Sequence, residues 1–270
     1  MTRQMSPQEQ ARLEAIKKTW QQRKEIGNKL AKIKNKIGVY SGKGGVGKTT
    51  IAVNLAVTLA QQGYTVGLMD TDIDCPNATR VLGITEKPTS FEGMLIPPER
   101  FGVKILSMAF FQENEEEAII WRGPMIHNAI NQFMQTTNWG ELDYMIVDLP
   151  PGTSDAPLTV MQVLNLDGFV VVTSPQELSK LDAKRSINMI RKLKINVFGI
   201  VENFSGNIFG TGAGETLSEE MDLPFIGRID MRPDYMDLKT PAVVSNPLIS
   251  AEYESLCSSL NQIVDKLSSV

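Results

Sequence analysis

The sequence predicts an α/β fold: a doubly wound, mainly parallel sheet of about seven strands with helices on both faces, preceded by a helical arm. Three observations predict it. Short apolar runs rich in Val and Ile recur along the chain, and several lack polar alternation, as strands buried on both faces do. Stretches of helical periodicity separate them, and alternating strand and helix builds a parallel sheet. Finally, 42 % apolar and 21 % charged residues over 270 positions supply a sizeable core and argue against wholesale disorder.

Residues 8–36 read as a helical arm. Leu13, Ile16 and Trp20 lie on one stripe, and Leu30, Ile33 and Ile37 repeat it, with Gly27-Asn28 between as a break or kink. Residues 1–36 carry ten Lys/Arg against three Asp/Glu, whereas the remainder carries seventeen against twenty-eight. A basic arm (1–36) thus precedes an acidic body (37–270). The arm's regular stripe favours a docking or dimerisation helix over a nucleic-acid contact. The body's expected strands are "IGVYS", "TVGLMD", "VKILSMAF", "YMIVDLP", "GFVVVTS", "VFGIVEN" and "FIGRID". "QENEEE" at 112–117 reads as a solvated acidic loop. A final helix from about Ser250 carries Tyr253, Leu256, Cys257, Leu260, Ile263, Val264 and Leu267 on one stripe, with Lys266 its one basic residue. That helix suits a core, not a membrane surface. The polar start resembles no signal peptide and no apolar run approaches eighteen residues, so a cytoplasmic protein without membrane contact is expected.

The chemistry centres on "SGKGGVGKTT". Between strand "IGVYS" and an amphipathic helix, Gly42 to Thr49 have the Gly-x-x-x-x-Gly-Lys-Thr spacing of a phosphate-binding loop. Its glycines let backbone N–H groups turn toward phosphates, and the helix N-terminus adds a favourable dipole. Lys48 is placed to reach the β- and γ-phosphates, and the Thr49 hydroxyl to ligate Mg²⁺. Asp148 ends a buried strand and can hold Mg²⁺ through water. "PPGTSD" after it reads as a segment that senses the γ-phosphate. Asp70, Asp72 and Asp74 end another strand, and one of them can orient the attacking water. Lys43 is surplus to one site. It is either a solvated lysine or a cation reaching a nucleotide held by a second subunit, as an arginine finger does.

"GKGGVGKTT" resembles the deviant Walker A signature of the ParA/MinD/nitrogenase-iron-protein superfamily. From about residue 37 onward the chain is similar to the Mrp family of nucleotide-binding proteins, known as iron–sulfur cluster carriers. "DTDIDCPN", "WRGPM", "WGELDYMIVDLPPGTSD", "TSPQELSKLDAKRSINM", "GIVEN" and "IFGTGAGETLSEE" stand in the family's order. The resemblance implies a P-loop ATPase domain over 37–270 that dimerises around Mg-ATP and hydrolyses it slowly, with Lys43 acting in trans. It implies that Gly42, Lys43, Gly44, Gly45, Val46, Gly47, Lys48, Thr49 and Thr50 bind ATP. It further implies that Thr49, Asp70 and Asp148 serve the metal, that Lys43, Lys48 and Asp72 are catalytic, and that Asn203 reads the adenine edge. A client is implied as well, an iron–sulfur apo-protein or scaffold. The chain departs from the family where a Cys-x-x-Cys commonly stands, since "VENFSGNIFGTG" has no cysteine. Cys75 and Cys257 are the two thiols. Cys75 from two chains supplies two ligands where a cluster takes four, and Cys257 reads as core. The lone His127 reads as structural. The other reading is a ParA/MinD-like ATP-switched adaptor that carries no cluster.

Overall fold

The computed structural model describes residues 6–111 and 123–268. The acidic stretch 112–117 and the tryptophan and arginine of "WRGPM" lie outside the described residues. The strands are β1 (Ile33–Tyr40), β2 (Val66–Asp70), β3 (Thr89–Phe91), β4 (Met94–Ile96), β5 (Glu99–Arg100), β6 (Val103–Ser107), β7 (Leu142–Asp148), β8 (Gly168–Thr173), β9 (Asn196–Ser205) and β10 (Phe225–Asp230). The helices are α1 (Pro7–Leu30), α2 (Lys48–Gln61), α3 (Ala78–Leu82), α4 (Gly123–Thr136), α5 (Asp155–Leu164), α6 (Glu177–Lys192), α7 (Ala213–Met221), α8 (Ala242–Ser245) and α9 (Pro247–Ser268).

The main sheet runs β10-β9-β8-β1-β7-β2-β6-β5. The first seven of these pair in parallel and coincide with the seven expected runs, while two-residue β5 adds an antiparallel edge. Successive side chains of a strand face opposite sides, and here both sides are apolar. Ile37, Val39, Leu68, Ile146, Val170 and Val172 join α2, α3, α8 and α9 in one core. Tyr40, Met69, Met145, Val147, Phe169 and Val171 join α4 to α7 in the other. In α9, Tyr253, Leu256, Cys257, Leu260 and Val264 are buried as the stripe predicts, while Leu267 is exposed.

The arm corrects two expectations. α1 runs unbroken through Gly27-Asn28, and it ends at Leu30 where a helix to residue 36 was expected. Ile33 and Ile37 belong to β1, whose Ile33 pairs Leu142 and whose Ile37 pairs both Ile146 and Gly168. Residues four apart share a face in a helix and in a strand alike, so the spacing could not separate the two. The hydrogen bonds offered by β7 decide it. α1 docks by its C-terminal end: Ile26 is buried in the second core, and Lys29 donates to the carbonyls of Gln135 and Thr137 at the end of α4. Farther out, Leu13, Ile16 and Trp20 are exposed.

Candidate active site

Asp70, Asp72 and Asp148 meet the loop at the carboxyl ends of β1, β2 and β7. Parallel register sets Val39 beside Asp148 and Asp148 beside Asp70, so the three strand ends are level. The loop 41–47 turns from β1 into α2. Gly45 and Gly47 adopt φ of +82° and +79°, which L side chains rarely adopt and which lets successive N–H groups line a concavity. Gly42 is required for another reason. A Cβ there would lie 2.1 Å from the carbonyl oxygen of Asp182, so α6 can approach the loop only because residue 42 has no side chain.

Lys48 is buried and bridges two carboxylates: its Nζ lies 2.6 Å from Asp148 Oδ1 and 3.8 Å from Asp72 Oδ2. Burial works against the ammonium's charge, yet Asp148 and Asp72 outweigh it and hold its pKa above the ordinary value. The other oxygen of Asp148, Oδ2, is buried without a hydrogen-bond partner. An unpaired buried carboxylate oxygen is costly. Asp72 is pushed up to about 6 by burial, against the pull of Lys48. Asp70 is pushed up to about 7 by burial and by Asp148. Both oxygens of Asp70 are engaged by the protein. Oδ1 accepts from Asp72 N at 3.1 Å, and Oδ2 accepts from Ala78 N at 3.1 Å and Ser107 Oγ at 2.9 Å. Asp70 therefore ties the 72–78 segment to the strand end. Asp74 is exposed.

The two segments flanking the loop are fastened to it. Thr71 donates from N and Oγ1 to the Asp148 carbonyl at 3.0 and 2.8 Å. Gly152 N donates to the Ser41 carbonyl at 3.0 Å, and the Tyr40 hydroxyl donates to the Gly152 carbonyl. Thr49 and Thr50, half-buried, open α2 beside Lys48. Lys43 lines a cleft of about 170 Å³ together with Gly44, Gly45 and Val46 of the loop and with Gln176, Phe209 and Met231. Asn203 Nδ2 donates to the Val46 carbonyl at 2.8 Å, and Asn203 is only 2 % exposed. The asparagine thus braces the loop through Val46.

Sequence reasoning missed Glu202, the buried neighbour of Asn203. It accepts from Ser205 Oγ, from Gly212 N and Gly214 N, and from Arg228 Nε at 3.0 Å. An acid inside the apolar run "VFGIVEN" was the available signal. The two thiols are apart in kind: Cys75 is exposed and Cys257 is buried. Among the described residues no group of three or more His, Cys, Asp or Glu is placed to hold a metal ion. His127 is exposed on α4. No helix among the described residues is long and apolar enough to cross a membrane.

Comparison with known proteins follows the same lines. A family model described as ParA, NUBPL iron-transfer P-loop NTPase, matches residues 32–268. An iron–sulfur cluster carrier protein from Synechocystis is 42 % identical over 258 residues, covering 88 % of this chain and 72 % of that protein. The structure of a nucleotide-binding protein from Archaeoglobus fulgidus in complex with ADP superposes with a TM-score of 0.71 at 36 % identity, over 82 % of this chain and 91 % of that one. The cell division ATPase MinD from Pyrococcus furiosus shares the fold at a TM-score of 0.68 and 21 % identity, over 85 % and 99 % of the two chains. Loop, acids and matched span agree: the chain belongs to the ParA/NUBPL family of iron-transfer P-loop NTPases.

Proposed function

We propose that the chain is a Mg-dependent, slowly hydrolysing ATPase switch that pairs with a second copy around the nucleotide. The observation that carries this reading is the Lys48 bridge. Phosphate oxygens compete with Asp148 for the Lys48 ammonium, and the freed Asp148, with its second oxygen already unpaired, can then face a cation. The donor set fits Mg²⁺, with the Thr49 hydroxyl as ligand and Asp148 acting through water. Bound there, Mg²⁺ would supply neutralisation of charge on the β- and γ-phosphates. Lys48 holds the phosphates, and Asp72 accepts a proton from, or orients, the attacking water. Asp70 serves by anchoring the 72–78 segment. Through Thr71, that segment is tied to the Asp148 carbonyl, so a change at the γ-phosphate can be passed to the surface at Asp74–Asn77. Asn203 holds the loop through Val46 and keeps its side-chain oxygen for the adenine edge.

Lys43 is the residue offered to a second copy. It lines a cleft with Phe209 and Met231 and forms no ion pair among the described residues, while Lys48 is buried against Asp148. The test is Lys43→Ala. Nucleotide binding should persist, while turnover should fall about a hundredfold or more and the ATP-dependent dimer should disappear from size-exclusion profiles. Wild-type dimerisation and turnover in that variant would defeat the trans assignment.

A second reading concerns the cargo. The relatives are named for iron–sulfur clusters, but one chain offers two thiols in unlike environments, one of them buried. These residues do not fit a four-ligand cluster. The chain is then the nucleotide-driven partner in iron–sulfur assembly, with the cluster held by an apo-protein or scaffold. An ATP-switched adaptor without cluster chemistry meets the same observation.

A further inference from the structure

Away from the phosphate loop, α3, the 84–88 link, β5 and the link into α8 enclose a cleft of about 610 Å³. Its rim carries four cations from four separate segments: Arg80, Lys87, Arg100 and Lys239. Its apolar lining is Ile84, which is buried, Phe110, half-buried, and Leu238, exposed. The cluster is built rather than incidental. Arg100 Nη2 donates to the Lys239 carbonyl at 3.3 Å, and its guanidinium lies 4.9 Å from the Phe101 ring centroid. Gly83, at φ +70°, permits this approach. A Cβ there would lie 2.4 Å from the Lys239 carbonyl oxygen and 2.6 Å from Arg100 Nη1.

Among the described residues, Lys87, Arg100 and Lys239 form no ion pair with a carboxylate. Two carboxylates stand nearby, and Glu86 lies within Coulombic reach of Arg100. Asp237 Oδ1 accepts the Lys239 backbone N–H at 2.9 Å, and Glu86 Oε2 accepts the Thr85 N–H at 3.1 Å. Lys87 and Lys239 are exposed, and the surplus of positive over negative charge around the concave surface is focused inward. A bound anion balances that surplus. The volume falls in the range of small-molecule sites, roughly 300–1,000 Å³, and is too confined for a nucleic-acid duplex. The cleft also shares α3 with the phosphate site, because Ala78 N, the first residue of α3, donates to Asp70.

We propose that this cleft binds a small polyanion, a molecule carrying two or more phosphate or carboxylate groups on a compact body. The test uses the full chain saturated with ADP, so that the phosphate loop is filled. Labelled pyrophosphate and labelled citrate are each measured by equilibrium dialysis. One site per chain should appear for at least one probe, weakening as salt is raised. In Lys87→Glu/Lys239→Glu it should weaken about tenfold or more, with ATP affinity and melting temperature kept as controls. Pyrophosphate alone would assign a phosphorylated ligand, and citrate alone a polycarboxylate. No binding of either probe overturns the proposal, as does equal affinity in the double variant. A hexaglutamate peptide that binds about tenfold tighter than both probes also overturns it, making the cleft a dock for an acidic protein segment.

Discussion

Two carboxylates, Asp148 at the end of β7 and Glu202 near the end of β9, are both fully buried, and their surroundings are opposite. Glu202 is saturated. Two glycine N–H groups, a serine hydroxyl and the Arg228 guanidinium surround it, and they hold its carboxyl below its ordinary value against the cost of burial. Asp148 has one cation, Lys48, and one oxygen with no partner. A folded chain seeking only stability would treat both alike. On the proposed function, the difference separates a carboxylate that fastens the fold from one held in reserve for a ligand.

The sharpest way to break this comparison is Asp148→Asn. Shape is kept, Lys48 retains Asp72 within 3.8 Å, and Asp70 loses a repelling neighbour. Turnover should fall by about a hundredfold to a thousandfold, with little change in melting temperature. A large loss of stability with activity retained per folded molecule would place Asp148 in the structural class with Glu202.

How much of this could be read before the fold was known differs by element. The seven parallel strands were legible because burial on both faces writes itself as runs of Val and Ile, as in "GFVVVTS". The loop residues were legible because backbone conformation and phosphate chemistry constrain adjacent positions, as at Gly47 and Lys48. The β3–β4 hairpin was not. Its strands are three residues long, and its turn places Glu92 and Gly93 at φ +50° and +77° without the Asn-Gly or Asp-Gly signal. The start of β1 was hidden by a spacing that suits helix and strand equally. Long-range partners left no local trace: nothing adjacent to Asn203 announces Val46, and Arg80 and Lys239 become neighbours only through the fold.

Glu202→Ala tests the other half of the comparison. It leaves two glycine N–H groups and part of the Arg228 charge without their acceptor. Breaking such a buried group's set costs about 3 kcal/mol, or a melting temperature lower by roughly 6–12 °C for a domain of this size. The kcat of the folded fraction should survive, since Glu202 faces the 212–214 turn and not the loop. A variant that melts normally but has lost turnover would mean that Glu202, too, acts in the reaction.

The smallest expected effect is a pH dependence, and it separates Asp70 and Asp72 from Glu202 by sign. Asp70 and Asp72 are raised to about 7 and about 6, so both take up protons below neutrality while the fold is intact. Their ionised forms anchor and serve the site, so kcat/KM should fall about tenfold or slightly more between pH 8 and 6. Stability should move the other way. A carboxyl whose pKa is higher folded than unfolded binds its proton more tightly in the native state. Unfolding free energy of the nucleotide-free chain should therefore rise as pH drops from about 7 toward the unfolded value near 4. Glu202, held low, contributes stability above its unfolded value that is lost only in acid. Ser107→Ala removes a hydroxyl that lowers the pKa of Asp70, so the acid limb of kcat/KM should shift upward. If the limb stays in place while the serine hydrogen bond is gone, the titrating group is not Asp70, and Asp72 alone sets the profile.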